Sequence, residues 1–252
     1  MVGEGSAKRA IAYRTMTSAK PGATGIFWLS GFMSDMGSTK AMAVAEWATA
    51  RGLGATRFDY SGHGVSGGAF AEGTIGRWLE EANAVFTQVT SGPQVIIGSS
   101  MGGHIALLLV RKLLRDQVSE AQRIKGLVLI APAWDMTEEL MWKRFGDDVR
   151  RTILERGCYE QPSAYGSPYP ITRGLIEDGR KHLLAREPFD PEMPVVILQG
   201  LLDPDVPADH TRELTRFLTG DRVKLIEIPD GEHRLSRPQD LALLFDAVGA
   251  LV

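Results

Sequence analysis

Short apolar runs alternate with amphipathic segments along most of the chain. Runs that are apolar throughout are typical of strands buried on both faces, and they cover residues 25–31, 55–60, 95–98, 126–131, 194–200 and 223–228. Helical spacing of apolar residues recurs at 38–50, 74–89, 104–117, 209–218 and 238–250, and residues 10–17 are typical of a short edge strand. This alternation predicts an α/β fold, with a mostly parallel, doubly wound sheet and helices on both faces.

The alternation stops between residues 133 and 189, where no clear strand is visible. We interpret residues 1–132 and 190–252 as one core domain, and residues 133–189 as a small, mostly helical cap inserted at the carboxyl end of a strand. The insertion is rich in Met and aromatic residues, a composition that favours an apolar pocket roof over ordinary surface helices. The predicted substrate pocket is lined by Trp134, Met136, Trp142 and Tyr165.

The strongest chemical signal is the segment Gly98-Ser99-Ser100-Met101-Gly102, which fits the pattern G-x-S-x-G. It follows an apolar strand and precedes a helical pattern, so Ser100 is placed at a sharp strand-to-helix turn. Glycines on both flanks relieve the crowding of such a turn. The pattern alone is weak, because a Gly/Ser loop can also merely join a strand to a helix. Its position favours a nucleophilic serine.

An acid and a base are found at the ends of two later strands. Asp203 lies a short turn past the strand at 194–200, with Asp205 as a competing carboxylate that we interpret as a turn or cap residue. His233 lies in the polar loop directly after the last strand. Because reactive residues gather at the carboxyl ends of parallel strands, the order Ser100, Asp203, His233 predicts a nucleophile, an acid and a base.

The remaining parts of such a site are backbone groups. The N–H groups of Met101, after the nucleophile, and of Phe32, after an early strand, are the expected oxyanion donors. Two other histidines are interpreted as structural. His63 lies in a glycine-rich loop, where we expect a structural hydrogen bond, and His104 is expected to point away from the reacting face.

Composition narrows the class of protein. The chain has 252 residues, a net charge of −3 and a single cysteine, Cys158. The charge gives no reason to expect nucleic acid, and one cysteine excludes an intramolecular disulfide and a cysteine-rich zinc site. No stretch is long and apolar enough to span a bilayer. We expect no metal and no cofactor, and a cytoplasmic location, or the mitochondrial matrix if a transit peptide was removed.

Four segments together resemble an α/β-hydrolase with a Ser-Asp-His triad; they are residues 59–66, 98–103, 200–207 and 231–234. Residues 31–41, 57–61 and 98–103 are also similar to the α/β-hydrolase group that includes the mitochondrial palmitoyl-protein thioesterase and acyl-glucuronide esterase. One departure is Ser30-Gly31, where many relatives of the fold have His-Gly. The departure leaves open what supports the loop that carries Phe32.

The resemblance implies a serine hydrolase that acts on small acyl esters or thioesters, or on acylated proteins. Lactone hydrolysis and cofactor-free haloperoxidation on the same triad are alternatives, as is a receptor that kept the fold and lost turnover. Dehalogenase chemistry would need a carboxylate nucleophile, and Ser100 argues against it.

Overall fold

The computed structural model describes residues 1–5, 8–163, 166–184 and 187–252. Within these ranges, the strands are β1 (Tyr13–Met16), β2 (Gly25–Leu29), β3 (Ala55–Phe58), β4 (Gln94–Ser99), β5 (Ile124–Ile130), β6 (Cys158–Ser163), β7 (Gly166–Thr172), β8 (Val195–Gly200) and β9 (Val223–Ile228). The α-helices are α1 (Thr39–Ala50), α2 (Ile75–Val89), α3 (Met101–Asp116), α4 (Val118–Ala121), α5 (Asp147–Arg156), α6 (Arg173–Gly179), α7 (Ala208–Phe217) and α8 (Pro238–Gly249). None of the described helices is long and apolar enough to cross a membrane.

Seven strands form the central sheet in the order β1-β3-β2-β4-β5-β8-β9. All neighbours are parallel except β1 and β3, which pair antiparallel, with β1 as an outermost strand of the sheet. The predicted mostly parallel sheet is therefore confirmed, and the predicted element ends differ from the observed ones by a few residues. Since the parallel strands share one direction, the loops after β2, β4, β8 and β9 all leave the sheet at the same edge.

The two faces of the sheet are filled by alternate residues of the same strands. Phe27 and Ile96 pack with α2 and α3 on one face, whereas Trp28 and Val95 pack with α1 and α8 on the other. Successive side chains of a strand point to opposite faces, so an uninterrupted apolar run supplies both layers. This is the physical reason why the apolar runs predicted the strands correctly.

The insertion at residues 133–189 combines helices with a hairpin that the prediction of a mostly helical cap did not include. It contains α5, α6 and a π-helical turn at Thr137–Met141, but also an antiparallel hairpin of β6 and β7. The strand sequences CYEQPS and GSPYPIT carry proline, glycine and serine, which break the apolar alternation that reveals a strand. A two-stranded hairpin tolerates these residues because each strand has a free edge. Tyr165 lies outside the described residues.

Asp135 ties the two ends of the insertion to each other and to the core. Its carboxylate Oδ1 accepts the N–H of Leu184 at 2.7 Å, and its own N–H donates to Nδ1 of His104 on α3 at 3.2 Å. All three residues are buried. Burial is the main cause that lowers the pKa of His104 to about 3, with the nearby His182, Arg111 and His210 acting in the same direction. His104 is thus a neutral acceptor at the base of the cap.

We predict that His104 makes the fold sensitive to acid. Its folded pKa of about 3 lies below the ordinary 6.5, so below pH 6.5 the unfolded chain binds a proton that the folded chain excludes. The free energy of unfolding therefore falls as the pH drops from 6.5 towards 3, by at most about 1.4 kcal/mol per pH unit for this group. Chemical denaturation of the wild type and of His104→Asn, whose side-chain oxygen can still accept from Asp135, should give curves that converge towards low pH. Parallel curves would contradict a neutral His104.

Candidate active site

Ser100 sits in a backbone conformation that side chains rarely adopt. Its φ is 54° and its ψ is −118°, between the end of β4 and the start of α3. The turn is held by hydrogen bonds: the Ser100 N–H donates to Ile130 O at 2.8 Å, and the Ser100 carbonyl accepts the N–H of Ala133 at 3.1 Å. The predicted strand, sharp turn and helix are confirmed, and Ser100 stands at the apex of the turn.

The flanking glycines are required by close backbone contacts. A Cβ atom on Gly102 would lie 2.1 Å from the carbonyl oxygen of Leu29, and one on Gly98 would lie 2.4 Å from the carbonyl oxygen of Gly102. Both distances are far below van der Waals contact. The two glycines therefore let α3 begin directly against β2 and β4, which raises Ser100 above the edge of the sheet.

Asp203 and His233 are joined by a hydrogen bond. The Asp203 carboxylate is fully buried, and its Oδ2 lies 2.7 Å from Nδ1 of His233. The other oxygen, Oδ1, accepts the backbone N–H groups of Asp205 at 2.9 Å and Val206 at 2.8 Å. A carboxylate held by these donors keeps the proton of the neutral imidazole on Nδ1. Nε2 is then free to take a proton from a reacting group.

The competing carboxylate, Asp205, has a different setting. It is exposed, its N–H supports Asp203, and its carbonyl accepts from Arg144 at 3.3 Å. Ligand atoms of Asp203, Asp205 and His233 lie within 4.8 Å of one another, which is close enough for a shared cation. Both oxygens of Asp203 are already engaged, however, so the group is organised as a hydrogen-bond network around the imidazole.

Lys40 links the loop of His233 to the start of α1. Its ammonium, at the start of α1, donates a hydrogen bond to the carbonyl of Arg234. Burial, with a contribution from the Arg234 charge, lowers the pKa of Lys40 to about 8. In the sheet, β4 lies between β2, which leads to α1, and β9, which leads to His233. The contact therefore joins the loop after β9 to the start of the helix that follows β2.

The loop after β2 lies directly against Ser100. A Cβ atom on Gly31 would lie 3.4 Å from the Ser100 Cβ, so the next residue, Phe32, borders the turn. Within the described part of the chain, no residue accepts a hydrogen bond from the Phe32 N–H. The N–H of Met101, in the first turn of α3, likewise precedes the residues that bond within the helix. Both N–H groups thus belong to residues that border the turn of Ser100, and their role as oxyanion donors stays a prediction.

The predicted pocket residues Trp134 and Met136 are buried within the hydrophobic core, and their pocket role stays a prediction. The Trp134 ring is 2% exposed and stacks on His210 at a centroid distance of 4.6 Å, and its N–H donates to the His210 carbonyl. A large ring at the end of β5 is needed there to pack α7 against the sheet. Trp142 is half-buried beneath the guanidinium of Arg180, 4.8 Å from the ring centroid, and its pocket role stays a prediction.

Tyr169 of the cap hairpin is an aromatic residue beside the site that the sequence did not single out as a pocket residue. Its ring packs edge-to-face on Phe32 at 5.5 Å. Burial, and to a smaller extent the charge of Asp205, raises the pKa of the Tyr169 hydroxyl. The residue thus reaches from the loop after β2 towards the loop after β8, over the edge that carries Ser100. Only the hairpin, which the sequence hides, brings it there.

Comparisons with known proteins identify the family of the chain. The family model described as serine aminopeptidase S33 (Hydrolase_4) matches residues 23–160, more than half of the chain. The palmitoyl-protein thioesterase ABHD10, mitochondrial, of Bos taurus is 28% identical over 246 residues, which cover 96% of this chain and 76% of that protein. The human protein of the same name is 26% identical over 244 residues, with the same coverage.

Two solved structures extend the comparison. A protein from Agrobacterium vitis S4 superposes with a TM-score of 0.96 and 45% identity, covering 100% of this chain and 96% of that one. Mouse alpha/beta hydrolase domain-containing protein 10 superposes with a TM-score of 0.84 and 28% identity, covering 100% and 97%. The chain therefore belongs to the serine aminopeptidase S33 family of hydrolases and has the α/β-hydrolase fold.

Proposed function

We propose that the protein is a serine hydrolase that cleaves carboxylic acyl esters or thioesters through an acyl-enzyme on Ser100. The observation that carries the proposal is the 2.7 Å hydrogen bond between buried Asp203 and His233 Nδ1, on the same edge of the sheet as the strained turn of Ser100. A buried carboxylate, an oriented imidazole and a raised hydroxyl are the three parts that acyl transfer requires.

The reaction has two halves. The Ser100 oxygen attacks the acyl carbon while His233 Nε2 takes its proton, and the carbonyl π electrons move to the oxygen. The tetrahedral intermediate then collapses, and the proton on His233 goes to the leaving alcohol or thiol. In the second half, water gives a proton to His233 and its oxygen attacks the acyl carbon of the Ser100 ester. The second intermediate collapses, the Ser100 oxygen takes the proton from His233, and the carboxylic acid is released. Asp203 stabilises the imidazolium in both halves.

The negative charge of the intermediate is held by the N–H groups of Phe32 and Met101. Support for this assignment comes from the lack of another described acceptor for Phe32, and from the position of Met101 at the start of α3. The first N–H groups of a helix have no partner within the helix and attract negative charge. Such donors matter because they are fixed before charge develops and need no reorganisation during the reaction.

The substrate class is proposed from the relatives and from the aromatic cover. The curated relatives are palmitoyl-protein thioesterases, which supports a long acyl chain and a thioester. Phe32 and Tyr169 form an apolar wall beside the serine, and Phe70 packs on Phe32 at 5.0 Å. The relatives are named as mitochondrial proteins, which supports the mitochondrial matrix rather than the cytoplasm as the location.

The first test is a chain-length series. We predict that turnover of acyl p-nitrophenyl esters and of matched acyl thioesters rises with acyl chain length, because more apolar surface is buried against the aromatic wall. Initial rates with the purified protein measure this. The control is Ser100→Ala, which should fold like the wild type and lose turnover on every substrate.

The outcomes separate the parts of the proposal. Turnover that persists in Ser100→Ala, or is absent from the wild type, would overturn the serine mechanism. Ser100-dependent turnover that prefers short chains would keep the mechanism and overturn the long-chain substrate class.

A second test compares two neighbouring carboxylates. In Asp203→Asn the amide oxygen can still accept from Asp205 and Val206 N–H, so the amide NH2 faces His233 Nδ1 and forces the wrong tautomer. We predict a loss of about 10⁴-fold in kcat, as for the equivalent change in other triads. Asp205→Asn is the matched control and should stay within a few-fold of the wild type, with both melting temperatures measured. The reverse ranking would show that Asp205 is the acid.

A further inference from the structure

The loop after β2 is held by side chains from the end of β3 and from the loop that follows β3. The Asp59 carboxylate Oδ1 accepts the N–H of Met36 at 2.7 Å, and the Arg57 guanidinium donates to the Met36 carbonyl at 2.5 Å. Closer to Ser100, Nε2 of His63 accepts the N–H of Met33 at 3.3 Å. The loop that carries Phe32 therefore has supports at both ends of residues 33–36, and His63 is the one nearest the proposed oxyanion donor.

The hydrogen bonds of His63 define its tautomer. Nδ1 lies 3.2 Å from the carbonyl oxygen of Ser61, which can only accept, so Nδ1 carries the proton. Nε2 is then a bare acceptor, as the contact with the Met33 N–H requires. The side chain is 5% exposed, and burial is the main cause that lowers its pKa. A protonated ring would have to give up its bond from Met33.

The His63 ring is also fixed in position by its neighbours. It packs edge-to-face against Phe70 at 5.1 Å and against Trp78 at 5.3 Å. Trp78 in turn donates its indole N–H to the same Ser61 carbonyl at 3.2 Å. These contacts hold the His63 ring, and with it the acceptor atom Nε2, in a fixed position.

Met33 is the point at which the loop needs this support. Its φ is 58°, in the left-handed region that a residue with a side chain avoids. The Met33 side chain is 52% exposed, so packing of the side chain does little to hold the conformation. The conformation is held instead by the hydrogen bond of the Met33 N–H to His63, and Met33 directly follows Phe32.

We propose that His63 is a positioning residue of the oxyanion hole. As a neutral acceptor it holds the Met33 N–H, fixes the left-handed turn at Met33 and so aims the Phe32 N–H at the oxyanion. The proposal rests on the proposed function, because it assumes that Phe32 donates to the intermediate. It supplies the support that the Ser30-Gly31 sequence leaves open, from a different part of the chain.

The test uses two side chains of similar size and flexibility. Gln at position 63 can place its amide oxygen near the site of Nε2 and accept from Met33, whereas Met has the same length and no strong acceptor. We predict that His63→Met lowers kcat by about 10- to 100-fold, a part of what the loss of one oxyanion donor costs. KM should change less than about threefold, and His63→Gln should recover most of the lost kcat.

Inhibition by an acyl trifluoromethyl ketone distinguishes a role of His63 in the oxyanion hole from a merely structural role. The ketone forms a tetrahedral oxyanion on the serine, so His63→Met should weaken its inhibition by the same factor as kcat. If the two variants lose kcat equally, or if kcat falls without a loss of ketone inhibition, the assignment of His63 is wrong.

The failures of the two proposals can be told apart. A wild type without Ser100-dependent turnover overturns both proposals, whereas an active wild type and a fully active His63→Met overturn only the positioning role. If His63→Met does not fold, nitrogen NMR of the wild type decides. A proton on Nδ1 and a bare Nε2 at pH 7 support the assignment, and the opposite tautomer overturns it.

Discussion

The backbone crowding at the turn between β4 and α3 is the constraint on which the candidate site depends. Ser100 holds a φ of 54°, and the flanking positions have no room for a Cβ atom because the backbone of β2 and of α3 itself lies against them. Packing this tight needs the neighbouring parallel strands in register, with Leu29 opposite Gly98. The buried sheet thus stabilises a strained serine, and the start of α3 presents unpaired N–H groups beside it.

The loops around this turn are held mainly by side chains that bond to backbone groups. The Asp203 carboxylate accepts the N–H groups of Asp205 and Val206. The Lys40 ammonium donates to the Arg234 carbonyl, and the Asp59 carboxylate accepts the Met36 N–H. Each of these bonds fixes a peptide of a loop rather than the surface of a side chain. The exposed side chains of these loops, such as that of Met33, are therefore not needed to hold the loop conformation.

The sequence predicted the sheet and the Asp203–His233 contact because both follow from local rules. Buried parallel strands are apolar throughout, and their carboxyl ends bring distant residues together. The hairpin of the cap was hidden because its strands contain proline and glycine, and the sequence did not show that Trp134 stacks on His210. A structural hydrogen bond of His63 was predicted from its glycine-rich loop, but the bond to Met33 that supports the Phe32 loop could not be predicted. It joins residues 30 positions apart through one backbone N–H, and no pattern of residue types marks such a contact.

The central claim is that Ser100 is a nucleophile activated by His233. Reaction of the purified protein with a fluorophosphonate, followed by peptide mapping with mass spectrometry, tests it most directly. The reagent needs an activated serine and an oxyanion hole but no particular acyl chain, so the result does not depend on the proposed substrate class. We predict a single phosphonylated residue, Ser100, and a strongly reduced labelling rate in His233→Ala. Labelling at another residue, or equal labelling without His233, would contradict the account.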